Sequence, residues 1–179
     1  MKFQETILKG AFLIDLEPHE DERGFFARTF CVDEFQAHGL NARLVQCSIS
    51  FNKSRGTLRG MHWQTEPHAE AKLIRVTRGA IFDAIIDLRR GSPTFMQHVT
   101  AELTADNHRM LYVPEGCAHG FQTLEDSSEV FYQMSAVFAP ALAQGVRWND
   151  PAFGIQWPEA DPRILNERDA GFPDFGGQP

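Results

Sequence analysis

Two blocks of this sequence carry histidine, lysine and arginine at what are predicted to be strand ends. The first is Gly56-Thr-Leu-Arg59-Gly-Met-His62-Trp-Gln64, with Lys72 soon after it, and the second is Pro114-Glu-Gly-Cys-Ala-His119-Gly-Phe121. Glycine and proline in both blocks mark turns where the backbone needs special dihedral angles or has no amide donor. Imidazoles titrate near neutral pH and an ammonium group can stabilise an oxyanion. This set is therefore suited to proton-transfer chemistry at the mouth of a ligand site.

Short strands must position these groups. Apolar runs of four to eight residues, rich in Val, Ile and Phe, recur from Ala11 to Phe138 with turn residues between them, which is typical of an all-β fold. The segment Val32–Gly39 is the one convincing short helix and ends in glycine. From Trp148 onward, repeated proline predicts an irregular C-terminal tail that wraps the barrel. We expect one domain over residues 1–179, a jelly-roll barrel with its ligand in the mouth.

One predicted strand mixes carboxylates into an apolar surface. In the segment 81–88, Asp83 and Asp87 have the same strand parity as Ile81 and Ile85. The alternation alone leaves open which face of this strand lies inside the barrel.

Composition limits the class of partner. The 179 residues carry a net charge of −7, which argues against binding to nucleic acid or a membrane surface. A small anionic ligand needs only a local basic cluster, and one segment supplies it with Lys53, Arg55, Arg59, Lys72, Arg75 and Arg78. The N-terminal residues lack the apolar core of a signal peptide, so a cytoplasmic location is expected. Three widely spaced cysteines favour neither a disulfide framework nor a zinc knuckle.

A series of blocks resembles one family along most of the chain. They are Asp21-Glu-Arg-Gly-Phe-Phe26, Gly56–Gln64, Lys72-Leu-Ile-Arg-Val76, Asp87–Thr94, Leu103–Asn107, Pro114–Phe121, Tyr132, Gly145–Pro151, Ile155–Pro158 and Arg168-Asp169. In this order they are similar to the nucleotide-sugar epimerases of the cupin superfamily, typified by the dTDP-4-dehydrorhamnose 3,5-epimerase family. The resemblance implies a jelly-roll homodimer that epimerises a nucleotide-diphosphate sugar beside a ketone, with no metal and no cofactor.

The resemblance also implies four catalytic residues. A hydrogen next to a C4 ketone is acidic because its removal gives an enolate, so the site needs a base, an oxyanion partner and a proton donor. His62 matches the base, Asp169 the carboxylate that holds its tautomer, Lys72 the enolate-stabilising cation and Tyr132 the acid for the opposite face. Without the resemblance, the same residues would be interpreted as a core histidine, a solvated aspartate, an exposed lysine and a core tyrosine.

Seven further residues match substrate-binding positions of the family. Arginines correspond to contacts with phosphate or sugar oxygens, one histidine to a contact with the hexose, and phenylalanines to positions near the base. The set is Arg23, Phe26, Gln46, Arg59, His119, Phe138 and Arg168. Either phenylalanine could instead be an ordinary core residue.

Departures from the family leave the substrate open. The family often has Gln-x-Asn where this chain has Gln46-Cys-Ser48, and Arg28 stands where glutamate is frequent. These positions lie toward the nucleotide end, so a CDP sugar or another NDP sugar is an alternative to the dTDP sugar. A single-centre epimerase or ketoisomerase is a second alternative. A metal-dependent cupin using His62, Glu70 and His119, or a non-catalytic sugar-binding cupin, would belong to another class.

Overall fold

The computed structural model describes residues 1–176, which form thirteen strands and two short helices. The strands are β1 (Lys2–Glu5), β2 (Phe12–Asp15), β3 (His19–Asp21), β4 (Gly24–Phe26), β5 (Gln46–Asn52), β6 (Leu58–Gln64), β7 (Lys72–Arg78), β8 (Ala80–Asp87), β9 (His98–Thr104), β10 (Met110–Val113), β11 (Cys117–Thr123), β12 (Ser128–Met134) and β13 (Ala143–Gly145). The helices are α1 (Val32–Ala37) and α2 (Glu167–Ala170), and Pro140–Leu142 forms a 3₁₀ turn.

Two antiparallel sheets face each other. One has six strands in the order β1-β2-β10-β7-β12-β5, and the other has five in the order β13-β6-β11-β8-β9. Strands β3 and β4 form a separate hairpin. The sheets do not share hydrogen bonds that would close a continuous barrel, but the two-sheet arrangement is the predicted all-β jelly roll.

The main core lies between the sheets. Ile74 and Val130 of the six-stranded sheet pack with Ile85 and Phe121 of the five-stranded sheet, and all four are almost fully buried. Alternation along the strands explains why these residues are in the core, because every second residue of a strand points toward the facing sheet. The parity of Ile85 shows that Asp83 and Asp87, with no exposed surface, also lie on the inner side of β8.

Each sheet is also covered on part of its outer face. Helix α1 packs Phe35 against Phe12 and Tyr112 on the six-stranded sheet. The C-terminal tail packs Phe153 and Trp157 against the five-stranded sheet. The tail is largely irregular, as predicted, but it also contains α2, which the sequence did not predict. Among residues 1–176, no helix is long and apolar enough to cross a membrane.

A pair of glycines brings β6 and β11 unusually close. Gly60 has a φ of +125°, and a Cβ added there would lie 2.6 Å from the Cα of Gly120. Side chains other than hydrogen are therefore excluded at this crossing. The register between the two strands shifts beside it and leaves His62 directly opposite His119.

Candidate active site

A cavity of about 510 Å³ opens between the two sheets. Strands β5, β7 and β12 form one wall, strands β6 and β11 form the facing wall, and α2 contributes part of the rim. It is lined by Gln46, Ser48, Ser50, Arg59, His62, Glu70, Lys72, His119, Phe121, Tyr132, Met134, Phe138, Asn166, Arg168 and Asp169. All the predicted site residues except Arg23 and Phe26 are in this set. The volume is in the range of small-molecule sites.

His62 and Asp169 form a hydrogen-bonded pair on the five-stranded side. Nε2 of His62 lies 2.7 Å from Oδ1 of Asp169, and Oδ2 accepts a hydrogen bond of 3.1 Å from the backbone amide of Gly60. Asn166 caps the N-terminus of α2 and accepts a 2.7 Å bond from the Asp169 amide, which holds the backbone of Asp169 in place. Because Nε2 donates to this carboxylate, the lone pair of the neutral imidazole is on Nδ1.

The surroundings of Asp169 keep it ionised. Its side chain is only 2% exposed, against 37% for His62. Burial opposes its ionisation, but the hydrogen bond with His62, the Gly60 amide and the positive charge of Arg168 together hold its pKa below the usual value. The pair is therefore a buried carboxylate behind a partly exposed imidazole that faces the cavity.

Lys72 lies on the opposite wall, at the start of β7. Its Nζ is 3.2 Å from Oε1 of Glu70, and both side chains are about one-tenth exposed. The inward parity that Lys72 shares with Ile74 directs the ammonium into the cavity rather than to solvent.

Tyr132 and His119 meet edge to face in the wall of the cavity. Their ring centroids are 5.9 Å apart, and Nε2 of His119 lies 2.5 Å from Oδ1 of Asp83. Burial, and then the charge of Asp83, raises the pKa of Tyr132 well above its ordinary value, although Arg59 opposes the shift. Tyr132 is therefore held as a neutral phenol, the form that can donate a proton.

Four further predicted residues line the cavity, namely Arg59, Arg168, Gln46 and Phe138. Arg59 donates from Nε to Oδ1 of Asn52 at 2.8 Å. The guanidinium of Arg168 lies over the ring of Phe172, 5.6 Å from its centroid. Gln46 accepts a 2.5 Å hydrogen bond from the amide of Phe138, whose half-exposed ring stands at the rim.

Arg23 and Phe26 do not reach this cavity. Both lie on the β3–β4 hairpin, where the Arg23 side chain is 84% exposed and Phe26 is 76% exposed. Arg23 pairs with Asp21 of the same hairpin. The short hairpin makes no ladder with either large sheet in residues 1–176.

Three residues outside the cavity lining contact predicted site residues and were not themselves predicted. Asp83 supports His119, Asn52 supports Arg59, and Phe172 packs edge to face on His62 with centroids 5.6 Å apart. A signal existed for Asp83, because a carboxylate on an apolar strand face needs a buried partner. The sequence offered no comparable signal for Asn52 or Phe172.

The groups considered for a metal site are engaged otherwise. His62, His119 and Glu70 are paired with Asp169, Asp83 and Lys72. No group of three or more His, Cys, Asp or Glu within residues 1–176 is arranged to hold a metal ion.

Comparison with known proteins assigns the family. The family model for dTDP-4-dehydrorhamnose 3,5-epimerase matches residues 5–176. A relative of that name from Sinorhizobium fredii is 40% identical over 173 residues, which cover 97% of this chain and 89% of the relative. These matches extend over nearly the whole chain rather than a single motif.

Solved structures agree with the fold. The dTDP-4-dehydrorhamnose 3,5-epimerase from Bacillus anthracis, solved with TDP and PPi bound, has a TM-score of 0.92 at 40% identity, covering 97% of this chain and 99% of that one. ChmJ, a 3′-monoepimerase from Streptomyces bikiniensis in complex with dTDP-quinovose, has a TM-score of 0.86 at 32% identity, covering 94% and 85%. The jelly-roll prediction is confirmed, and the chain belongs to the dTDP-4-dehydrorhamnose 3,5-epimerase family.

Proposed function

We propose that this protein is an isomerase that inverts C3 and C5 of a dTDP-linked 4-keto-6-deoxyhexose, converting dTDP-4-dehydro-6-deoxyglucose to dTDP-4-dehydrorhamnose. One observation carries the proposal. The base candidate His62 and the acid candidate Tyr132 stand on facing sheets across a single cavity. A sugar ring held between them presents one face to each, which is the requirement for removing a proton from one face and returning it to the other.

The proposed chemistry uses four side chains of the cavity. Nδ1 of His62 takes the proton from the carbon beside the ketone, and the C–H electron pair becomes the C=C bond of an enolate. Lys72 places its ammonium by the developing oxyanion. The enolate carbon then takes a proton from the Tyr132 hydroxyl on the opposite face, which restores the ketone with inverted configuration and leaves a phenolate. Before the next inversion, the His62 imidazolium releases its proton to solvent and the Tyr132 phenolate takes one up. Asp169 stabilises the imidazolium formed in the first step.

Two arginines are proposed to bind the diphosphate. Arg59 and Arg168 both line the cavity, and a guanidinium can form paired charge-assisted bonds with phosphate oxygens. The relative from Bacillus anthracis binds TDP, which supports thymidine as the nucleoside. Gln46 and Phe138 stand together at the rim and are proposed to contact the base. His119 is proposed to contact the hexose.

A homodimer would explain the placement of Arg23 and Phe26. The hairpin that carries them is exposed, and so is the outer face of edge strand β5, where Ile49 is 62% and Phe51 47% exposed. We propose that a second copy covers these apolar groups and that each hairpin completes the partner's site. A cytoplasmic location also stays a prediction.

A single-centre epimerase is the second candidate. ChmJ shares the fold and is described as a 3′-monoepimerase, so this fold also occurs in an enzyme that epimerises a single carbon. The same cavity would serve, because only the placement of the ring between His62 and Tyr132 differs.

The test is proton exchange in deuterated water. The purified protein is incubated with dTDP-4-dehydro-6-deoxyglucose while NMR follows the C3 and C5 protons. Deuterium at both carbons supports 3,5-epimerisation, and deuterium at one carbon supports the single-centre candidate. If neither exchanges, the cytidine sugar is tried next, and failure with both would overturn the proposal.

A further inference from the structure

The carboxylates around the cavity are already matched with partners. Asp169 pairs with His62, Glu70 with Lys72, and Asp83 with His119. The side-chain bond of Arg59 goes instead to a neutral group, the Asn52 amide. The charge of Arg59 is therefore not cancelled by the carboxylates that surround the site.

Asn52 is held so that only its oxygen can face Arg59. The residue ends β5, is 2% exposed, and donates from Nδ2 to the carbonyl oxygens of Ser50 at 3.1 Å and Ser128 at 3.3 Å. With the amide reversed, Oδ1 would face these two carbonyl oxygens and Nδ2 would face the Arg59 donor. The arrangement ties the amide to two neighbouring strands and leaves Oδ1 to accept from Arg59 Nε at 2.8 Å.

This contact fixes Arg59 without neutralising it. A guanidinium has five donors in a rigid plane, so holding Nε sets the direction of both terminal nitrogens. A carboxylate in place of the amide would hold the same nitrogen but cancel the charge that an anion needs.

We propose that Asn52 is a positioning residue that presents the terminal nitrogens of Arg59 to the substrate diphosphate. The inference rests on the proposed function, because it takes Arg59 as a diphosphate ligand. It assigns Asn52 no contact with the substrate and no part in proton transfer.

A double-mutant cycle tests the coupling. Calorimetry measures the Kd of dTDP for wild type, Asn52→Ala, Arg59→Ala and the double variant, and steady-state kinetics gives KM and kcat for the keto sugar. Loss of one hydrogen bond to a charged group predicts a rise of about tenfold in Kd and KM for Asn52→Ala, with kcat within about twofold of wild type. Adding Asn52→Ala to Arg59→Ala should then raise Kd by less than about twofold.

A matched control and a second variant guard against damage to the fold. Asn107→Ala removes an exposed asparagine that bonds the backbone of Glu102, Thr104 and Arg109, and it should leave Kd unchanged. Asn52→Ser keeps a polar side chain that is too short to reach Arg59. It should raise the Kd of dTDP as much as Asn52→Ala does. Circular dichroism and thermal melting confirm that each variant is folded.

The outcomes separate this inference from the function on which it rests. If the wild-type protein does not bind dTDP, the proposal of a dTDP-linked substrate is wrong. If wild type binds while folded Asn52 variants bind equally well, or if the two substitutions act additively, the positioning role is wrong. A fall in kcat with unchanged KM would also overturn it.

Discussion

His62 and Asp169 are 107 positions apart in the sequence, yet Nε2 of the imidazole lies 2.7 Å from Oδ1 of the carboxylate. The other oxygen accepts from the amide of Gly60, two residues before His62 on the same strand. The Asp169 carboxylate thus bridges the Gly60 amide and the His62 side chain on β6. Helix α2 holds the carboxylate in this position. This relationship fixes the orientation of the proposed base.

Replacing the carboxylate tests its role. We expect Asp169→Asn to lower kcat about 100-fold to about 1,000-fold, because an amide cannot stabilise the imidazolium and can favour the wrong tautomer. KM should change less than about threefold, since Asp169 acts through His62. Steady-state kinetics measures both. Glu167→Gln, an exposed change on the same helix, is the control, and a kcat for Asp169→Asn within twofold of wild type would contradict the role.

Isotope exchange should distinguish the roles proposed for His62 and Tyr132. His62→Ala should abolish deuterium uptake at the acidic carbons, because no base remains to form the enolate. Tyr132→Phe should retain some uptake but impair inversion, since His62 can return a proton only to the face from which it was taken. NMR in deuterated water follows both. Equal and complete loss of exchange in both variants would contradict this division of labour.

Asp83 should raise the alkaline limit of activity beyond what burial of Tyr132 gives. Tyr132 donates only when protonated, so activity is lost as pH rises through its pKa. Burial and the Asp83 charge raise that pKa, so Asp83→Asn should lower it and move the alkaline limb of the kcat profile to lower pH. The profile is measured from about pH 7 up to the highest pH at which wild type stays folded, with Asp15→Asn as a control. An unmoved limb would show that Asp83 does not influence the acid.

Local patterns explain how much of the site could be predicted. Short apolar runs separated by turn residues predicted an all-β fold, and the residues of the cavity walls lie on strands that these runs mark. His62 and His119 belong to blocks with their own turn residues, and the structure places the two directly opposite each other. The strand pattern and the two histidine blocks consist of residues that are close in the sequence, so a single sequence is enough to recognise them.

The rest depends on contacts between distant segments. Helix α2 is only four residues long, which is too short to show a helical periodicity in the sequence. It is stabilised by the Asn166 cap and by its contact with β6. The orientation of Arg59 depends on Asn52 and, through it, on Ser128 of another strand. Arg23 and Phe26 lie on a hairpin outside the two large sheets. The sequence does not show how far this hairpin lies from the cavity.

Mixing two inactive variants tests whether a partner supplies Arg23. If each site takes Arg23 from the other subunit, a heterodimer of His62→Ala and Arg23→Ala chains contains one intact site. Random exchange in equal mixtures should then restore about one quarter of wild-type activity. If Arg23 acts within its own chain, each site keeps one defect and nothing is restored. Analytical ultracentrifugation provides the control that both variants are dimers, and a monomer would contradict the proposal.

Asp87 should make stability depend on acid pH. Its buried carboxylate accepts bonds from Arg89, Ser92 and Thr94, and these outweigh burial to lower its pKa. The ionised form thus stabilises the fold above its unfolded pKa of about 3.9, and that stability is lost as pH falls toward the lowered folded value.

Urea unfolding at a series of pH values checks this sign. Asp87→Asn should lower the free energy of unfolding at neutral pH by about 3 kcal/mol, because it leaves Arg89 without its buried partner. Below about pH 4 the deficit relative to wild type should shrink, since wild type then loses the same contribution. Asp106→Asn, at an exposed turn, should follow wild type throughout. A deficit that stays constant down to pH 2 would mean that packing around residue 87, rather than its charge, stabilises this end of β8.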